Sequence, residues 1–325
     1  MVEAGCEYAV MEVSSQGIKM HRTDGLYFDY GIFTNISPDH IGPGEHADFE
    51  EYLYYKTRLL NMCRIGLVNK DDEHAEQIIK AADCELYTYS EKGKEADFSA
   101  SDIRYVSQPD FVGTEFHISG KYDMEVRLGI PGLFNVVNAL AAVSVCSFLD
   151  LDKEKISHAL EHIRVNGRME IVYTSERCTV LVDYAHNAVS MESLLSTLRD
   201  YKPKRLVCVF GCGGNRSKDR RYSMGEIGGK LADLSIITAD NSRYEKVEDI
   251  IADIRGSIEK TGGSFIEIPD RREAIRYSIL QAQPGDMVAV IGKGHEDYQE
   301  INGVRHHFLD REVIEETVKE LGEKA

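Results

Sequence analysis

The sequence predicts an α/β fold of two domains, the second of which is a Rossmann-like, doubly wound parallel sheet. A chain of 325 residues is long enough for two domains at roughly 150 residues each. In its second half, short β-branched segments alternate with amphipathic helical segments, which is typical of parallel strands joined by helices. In its first half, the same alternation changes at residues 98–129 into the apolar-polar alternation of antiparallel hairpins. We place the boundary near Val165–Gly167, which gives domains 1–165 and 166–325.

The first domain begins with alternating strands and helices. Strands are predicted at YAVMEV (8–13), YGIFTNIS (30–37), IGLVN (65–69) and ELYTYS (85–90). Helices are predicted near Phe49–Cys63 and Asp72–Ala82 and, after the hairpins, near 132–149 and 153–163. Because the first strand has nothing upstream to pair with it or to cover the sheet edge, we expect the chain to be a fragment.

The second domain contains five predicted strands, four of which end in Gly or Asp. They are TVLVDYA (179–185), RLVCVFG (205–211), LSIITAD (234–240), SFIEIPD (264–270) and DMVAVIG (286–292). The carboxyl ends of parallel strands meet at one edge of a sheet, where the ligands of such folds bind. The loops DYAHN, GCGGNR, DNSRYE and GKGHEDY all fall at these ends. The sequence therefore predicts that four polar loops converge on one rim.

Composition and charge exclude several classes of protein. A formal net charge of −17 argues against a nucleic-acid-binding protein, whose affinity comes from clustered cations. The seven cysteines lack the paired short spacings of zinc sites and secreted disulfide frameworks. The apolar stretch Leu133–Leu151 contains Asn135 and Asn138, and we interpret it as a buried helix rather than a membrane span of about 20 residues. With no signal sequence at the N-terminus, we expect a cytoplasmic protein.

Two polar clusters follow predicted strands of the first domain, EVSS (12–15) and TNISPDH (34–40). Glu12, Asp39 and His40 could ligate a divalent cation, because carboxylate and imidazole groups are competent donors. Equally, the two carboxylates could cap turns. Lys56, taken alone, has the character of an ordinary solvated lysine on a helix.

Neither common phosphate-binding motif is present in the sequence. GCGGNR (211–216) lacks the spacing of a dinucleotide fingerprint, and no Gly-Lys pair is followed by Ser or Thr as in a Walker-type P-loop. A nicotinamide-dependent dehydrogenase is therefore disfavoured. For the same reason we expect the chain to bind ATP weakly or not detectably, and to turn over no substrate.

Taken together, nine segments resemble the Mur ligase family. They are EVSS (12–15), TNISPDH (34–40), Tyr55-Lys56, GLFNVVNALAA (132–142), NGRMEIV (166–172), DYAHN (183–187), GCGGNRSKDRR (211–221), DNSRYE (240–245) and GKGHE (292–296). The resemblance is to the branch that adds the third amino acid to the UDP-N-acetylmuramoyl dipeptide of peptidoglycan. It implies a truncated central ATPase-type domain followed by a Rossmann-like ligase domain. The family's N-terminal nucleotide-sugar domain and its P-loop are not matched.

The resemblance implies an ATP-dependent ligase that joins an acid to an amino acid in cell-wall synthesis. In that family a substrate carboxylate attacks the γ-phosphate of ATP, and the amine of the amino acid then displaces phosphate from the acyl phosphate. Glu12, His40 and Lys56 match the catalytic, Mg²⁺-binding positions, where the lysine is carbamylated. The positions that match ATP-binding residues are Asn135, Asn138, Arg168, Asp183 and His186. Those that match nucleotide-sugar-binding residues are Ser14 and Arg22, and those that match amino-acid-binding residues are Arg216, Asp240, Asn241, Arg243, Gly292 and Glu296.

Four positions or segments depart from the family's pattern. The loop after His40 reads IGPGEHADFEEY in place of Leu-Asp-Tyr-His-Gly, Met20 replaces a Gln, Ala188 replaces a Pro, and Ser242 replaces the Pro of an Asp-Asn-Pro-Arg motif. In the family that motif is associated with meso-diaminopimelate. Two arginines on the rim, Arg216 and Arg243, favour such a dicarboxylate diamino acid. L-lysine stays open as an alternative, because Ser242 does not fix φ as Pro does.

Two other functions stay open at this point. One is a ligase of the same superfamily with another acceptor, such as folate or a polypeptide, which the joint DNSR and GKGHE motifs disfavour. The other is a non-catalytic binding or assembly module that kept the fold. An in-frame P-loop in the DNA upstream of Met1 would favour the truncated enzyme, and a clean start site would favour the module. The oligomeric state is not predicted.

Overall fold

The computed structural model describes residues 2–322. By their contacts these residues form two compact units. The first unit comprises the residues up to Asp102 with Phe116–Glu125 and Val136–Ile156, and the second comprises Ile103–Glu115, Val126–Asn135 and the residues from Ser157 onward. The boundary near Val165–Gly167 stays a prediction.

The first unit contains the start of a six-stranded sheet with the order β1-β2-β3-β4-β5-β6. Its strands are β1 (Phe28–Phe33), β2 (Cys63–Asn69), β3 (Glu85–Ser90), β4 (Phe98–Gln108), β5 (Phe111–Gly120) and β6 (Met124–Leu128). β1 to β4 are parallel neighbours. The predicted change to hairpins is confirmed, because β4 and β5 are joined by only two residues, a connection that only antiparallel strands allow.

The helices of the first half confirm most of the predicted segments. They are α1 (Ser15–Lys19), α2 (Phe49–Thr57), α3 (Ala75–Ala81), α4 (Leu133–Cys146) and α5 (Lys153–His162). The N-terminus of α2 is capped by Asp48, whose carboxylate accepts a hydrogen bond of 2.8 Å from the Glu51 N–H. The predicted helix Phe49–Cys63 is too long, because the α-helix ends at Thr57 and a 3-10 turn, Arg58–Met62, follows. Leu53 and Ile78 bury α2 and α3 against β1 and β2.

The predicted first strand, YAVMEV (8–13), is wrong. Residues 8–13 belong to no strand, and the side chains of Tyr8 and Val10 are 60% and 102% exposed. An apolar strand is stabilised by pairing its backbone and burying one of its faces. Within residues 2–322 no strand pairs with this segment. The apolar pattern alone was therefore not enough to predict a strand.

The second unit is built on a six-stranded sheet with the order β11-β10-β9-β12-β8-β7. Its strands are β7 (Glu170–Thr174), β8 (Cys178–Asp183), β9 (Arg205–Phe210), β10 (Leu234–Ile237), β11 (Phe265–Glu267) and β12 (Asp286–Ile291). All five predicted strands are confirmed, and wherever two of them pair, they are parallel. β7 was not predicted and adds an antiparallel edge beside β8.

Helices cover both faces of this sheet, as the prediction of a doubly wound fold requires. They are α6 (Ala188–Asp200), α7 (Lys218–Leu231), α8 (Val247–Thr261), α9 (Arg271–Leu280) and α10 (Asp310–Glu320). Successive strand residues point to opposite faces. Leu181 packs in the core formed with α6, α7 and α8, whereas Val180 and Val182 pack in the core formed with α9 and α10.

A small hairpin follows β12, formed by β13 (Tyr298–Ile301) and β14 (Val304–His307). The stretch Leu133–Leu151, interpreted from the sequence as a buried helix, contains α4, which is 14 residues long. Of the helices in residues 2–322, none combines the length and apolar character that crossing a bilayer requires.

Candidate functional site

The four polar loops of the second unit converge on one rim, as predicted. They follow the carboxyl ends of β8, β9, β10 and β12. The Gly292 N–H donates to the Asp183 carbonyl oxygen over 3.1 Å, which joins two of the loops. A Cβ on Gly214 would lie 1.9 Å from the Ser242 carbonyl oxygen. GCGGNR is therefore glycine-rich because its backbone packs directly on the DNSR loop.

Three of the predicted amino-acid-binding residues form one hydrogen-bonded group on this rim. The Asn241 N–H donates to Asp240 Oδ1 over 2.6 Å, and Asn241 Nδ2 donates to Glu296 Oε2 over 3.1 Å. Asp240 and Asn241 are 9% and 7% exposed. Two carboxylates so placed supply acceptors for an ammonium group.

Lys293 is a further residue of this group, and the sequence analysis missed it. Its side chain is fully buried. Its Nζ lies 3.4 Å from both Asn241 Oδ1 and Glu296 Oε2 and 4.0 Å from Asp240 Oδ1, and it donates to the Tyr298 carbonyl oxygen. A buried ammonium needs such partners, because burying a charge without them is costly. Its position inside GKGHE was the one signal in the sequence.

Arg243 is held at the rim by its backbone as well as by its side chain. Its φ of +51° lies in the left-handed region, which is uncommon for a residue other than Gly. Its N–H donates to the Glu300 carbonyl oxygen over 2.9 Å, and its own carbonyl accepts from the Asn302 N–H over 2.6 Å. Arg243 Nη1 donates to the Gly214 carbonyl oxygen over 2.8 Å. The loop is thus fixed although Ser242 stands in place of a Pro.

Arg216, the second predicted cation, is placed differently. Its side chain is exposed, and within residues 2–322 no hydrogen bond or ion pair engages its guanidinium group. The rim therefore presents one free guanidinium, that of Arg216, and one that the fold already engages, that of Arg243.

The residues predicted to contact ATP in the second unit surround Tyr184. The Arg168 guanidinium lies 5.2 Å from the centre of the Tyr184 ring, and the His186 ring lies 4.8 Å from it. Tyr184 itself donates to Glu296 Oε1 over 3.4 Å, which connects this group to the amino-acid residues. Tyr184 was missed in the sequence, although it stands inside DYAHN.

Both carboxylate oxygens of Asp183 accept hydrogen bonds from the protein backbone. Its Oδ2 accepts from the Met169 N–H and its Oδ1 from the Ala185 N–H, each over 2.7 Å. Burial nevertheless raises the pKa of the Asp183 carboxyl, against these hydrogen bonds and the charge of Arg168.

Asn135 and Asn138 lie three residues apart on α4, a spacing that places them on neighbouring positions of the helix surface. Asn135 Nδ2 donates to the Pro131 carbonyl oxygen over 2.7 Å, so this side chain takes part in the start of the helix. The Asn138 side chain is exposed.

In the first unit, Lys56 and His40 both pack against the aromatic ring of Tyr52. Lys56 Nζ is 5.6 Å from the centre of the Tyr52 ring, and the His40 ring is 5.9 Å from it. Burial lowers the pKa of the Lys56 ammonium, and the charge of Asp39 opposes this shift. Lys56 is thus not the solvated lysine that its position alone indicated.

The other predicted residues of the first unit are exposed and make few side-chain contacts. Glu12 is exposed in the unpaired segment 8–13 and makes no hydrogen bond or ion pair with the part of the chain that the structure describes. Ser14 caps α1, its Oγ accepting from the Gly17 N–H over 2.9 Å, and the side chain of Arg22 is exposed. Within residues 2–322, no three His, Cys, Asp or Glu side chains are arranged to hold a metal ion.

His46 is a buried residue that the sequence analysis also missed. Its Nε2 lies 2.9 Å from Ser15 Oγ, and its ring packs 5.3 Å and 5.6 Å from the centres of the Tyr52 and Tyr55 rings. Burial, with a smaller contribution from Lys19, lowers the pKa of the His46 imidazole. His46 thereby joins the start of α1 to the helix that carries Lys56.

Comparison with known proteins supplies the family. Residues 1–146 match the Mur ligase middle domain, and residues 167–294 match the glutamate ligase domain of Mur ligases. The UDP-N-acetylmuramoyl-L-alanyl-D-glutamate--2,6-diaminopimelate ligase of Caldanaerobacter subterraneus subsp. tengcongensis is 39% identical over 326 residues, and the match covers 98% of this chain. The ligase of the same name from Trichormus variabilis is 41% identical over 318 residues, covering 96% of this chain. The chain spans 65% and 63% of the length of these two relatives.

Solved structures agree. A structure of a UDP-N-acetylmuramoyl-L-alanyl-D-glutamate--2,6-diaminopimelate ligase superposes with a TM-score of 0.78 at 34% identity, over 99% of this chain and 66% of that one. The UDP-N-acetylmuramate-alanine ligase of Thermotoga maritima superposes with a TM-score of 0.58 at 19% identity, over 90% of this chain and 60% of that one, which supports the fold alone. The chain belongs to the Mur ligase family, of which it carries the middle domain and the glutamate ligase domain.

Proposed function

We propose that this chain forms the catalytic and amino-acid-binding part of a cytoplasmic, ATP-dependent ligase of peptidoglycan synthesis. The ligase adds a diamino acid, with meso-diaminopimelate preferred over L-lysine, to UDP-N-acetylmuramoyl-L-Ala-D-Glu through an acyl phosphate. The observation that carries the proposal is the hydrogen-bonded group of buried Asp240, Asn241 and Lys293 with half-buried Glu296, beside two arginines. The named relatives, which are diaminopimelate ligases, support the choice of amino acid.

Different residues of the rim bind different groups of the amino acid. Asp240 and Glu296 accept hydrogen bonds from an ammonium group, while Asn241 and Lys293 hold the two carboxylates in place. Arg216 and Arg243 face carboxylates of the ligand, since a guanidinium binds a carboxylate through two parallel hydrogen bonds. A lysine side chain would instead place its ammonium near Arg243, and like charges that close repel each other.

The first unit contributes the residues that would hold Mg²⁺. Bound Mg²⁺ neutralises phosphate charge during phosphoryl transfer. Because burial lowers the pKa of Lys56, a larger fraction of its amine is neutral, and only a neutral amine captures carbon dioxide. A carbamate at Lys56 would then place an anion beside His40 for the cation. Glu12, Ser14 and Arg22 complete the proposed contacts to the cation and the nucleotide sugar.

Calorimetry with the purified chain tests the amino-acid part of the proposal. We expect meso-diaminopimelate to bind about tenfold more tightly than L-lysine, and L-alanine not to bind detectably. Arg243→Ala should remove the preference, because it removes the cation that discriminates between the two side chains. A preference for lysine that Arg243→Ala leaves unchanged would contradict the proposal.

A further inference from the structure

The rim contains a charged side chain that none of the roles above uses, Glu300 of strand β13. Its Oε2 lies 3.6 Å from Arg243 Nε, and each of the two side chains is 23% exposed. Arg243 is the residue to which the proposed function assigns a carboxylate of the amino acid. The chain itself therefore already places an anion beside this guanidinium.

Backbone hydrogen bonds keep Glu300 next to Arg243. Besides the two bonds that join the Arg243 backbone to Glu300 and Asn302, the Glu300 N–H donates to Asn241 Oδ1 over 2.9 Å. Glu300 is thus tied both to Arg243 and to the residue that orients Glu296. These bonds hold the Glu300 backbone beside Arg243, which keeps the guanidinium within reach of the Glu300 carboxylate.

Within residues 2–322, Arg243 is the only residue that forms an ion pair with Glu300. The residue opposite Glu300 on the hairpin is Arg305, but its guanidinium stacks 4.2 Å from the centre of the Tyr298 ring and forms no ion pair with Glu300. The negative charge of Glu300 is therefore directed at the amino-acid side of the rim.

We propose that Glu300 is a specificity-determining residue of this site. It reduces the factor by which a dicarboxylate diamino acid binds more tightly than lysine. A carboxylate at the far end of the ligand must share Arg243 with Glu300, which weakens its binding. An ammonium at the same place is attracted by Glu300, which offsets the repulsion from Arg243. This inference rests on the proposed function, because it needs the amino acid to bind on the rim.

The test measures the binding of meso-diaminopimelate and of L-lysine to the wild-type chain and to Glu300→Gln by calorimetry. Glu300→Gln removes the charge and keeps the backbone bonds to Arg243 and Asn241. We expect the ratio of the two affinities to shift toward meso-diaminopimelate by about tenfold. Glu300→Asp, which keeps the charge, should stay within about threefold of the wild-type ratio.

Glu312→Gln is the matched control. It removes a carboxylate that lies 2.7 Å from His307 of the same hairpin, without contacting Arg243, and should leave the ratio unchanged. If meso-diaminopimelate binds and Glu300→Gln leaves the ratio at its wild-type value, the inference is wrong and the proposed function stands. If neither amino acid binds to the wild-type chain, the proposed function fails, and the inference fails with it.

Discussion

The candidate residues of the two units differ in how firmly the fold holds them. On the rim of the second unit, Asp240, Asn241 and Lys293 are buried and bonded to one another. In the first unit, His40 and Glu12 are exposed, and Glu12 lies on a segment without strand pairing. Contacts within the chain therefore fix the geometry of the rim, as a preorganised site requires. In the part of the chain that the structure describes, the residues around Lys56 lack such a network, and we propose a carbamate and a cation there to complete the site.

The largest expected effect concerns the support beneath the rim. Arg271 is fully buried, pairs with Asp310 through two contacts of 2.7 Å, and donates to the carbonyl oxygens of Ala239 and Ile291, which precede Asp240 and Gly292. Arg271→Met leaves Asp310 buried without its partner. We expect a loss of about 3–5 kcal/mol in the free energy of unfolding of the second unit, measured by native-state hydrogen exchange of β12 amides.

Arg272→Met is the control for this prediction. Arg272 is the neighbouring residue, and its ion pair with Glu316 is exposed. Such pairs contribute about 0–1 kcal/mol. Equal losses for the two variants would show that the buried pair does not support the rim.

How far the sequence predicted these features depends on what each element needs. The five parallel strands of the second unit were predictable because each is a short β-branched segment that local periodicity reveals. The strand at YAVMEV was wrong because strand formation needs a partner, which periodicity does not report. The convergence of DNSR and GKGHE on one rim followed from parallel topology. Lys293 and Glu300 were missed, because their importance comes from contacts between loops, which local periodicity does not report.

The second expected effect is a loss of amino-acid affinity that substitution of Lys293 causes and substitution of an exposed lysine does not. Lys293→Met removes the ammonium that lies near the carboxylates of Asp240 and Glu296, so these two carboxylates lose the group that holds them in place. We expect the affinity for meso-diaminopimelate to fall at least about tenfold, which corresponds to roughly 1.4 kcal/mol. Calorimetry measures the loss. Lys230→Met, which removes an exposed lysine paired with Glu226, should bind like the wild type, and equal losses would refute a special role for Lys293.

A third effect tests the weaker site of the first unit. With ¹³C-labelled bicarbonate, we expect a carbamate signal in the NMR spectrum that Lys56→Met abolishes. Because the pKa of Lys56 is lowered by burial, the signal should appear at lower pH than for exposed lysines and grow as pH rises. Lys92→Met, which removes an exposed lysine, should leave it intact. A signal that survives Lys56→Met would assign the carbamate elsewhere.

The smallest effect concerns His46. Its pKa is lowered in the folded state by burial, so below pH of about 6.5 the unfolded chain binds a proton that the folded chain does not. Stability should therefore be unaffected by His46 above that pH and decrease as pH falls below it, by at most about 1.4 kcal/mol per pH unit. Thermal melts of His46→Gln should show a weaker acid dependence than wild type. His306→Gln, an exposed histidine, should melt like the wild type at every pH.

The central claim is that the rim of the second unit is a preformed site for a diamino acid. The most direct measurement is a titration of the ¹⁵N-labelled chain with meso-diaminopimelate, followed by amide chemical shifts. We predict saturable shifts confined to the loops 211–217, 238–245 and 292–302, with the amides of 8–24 and 39–57 unchanged. Shifts that occur mainly outside these three loops, or no shifts at millimolar ligand, would contradict the claim.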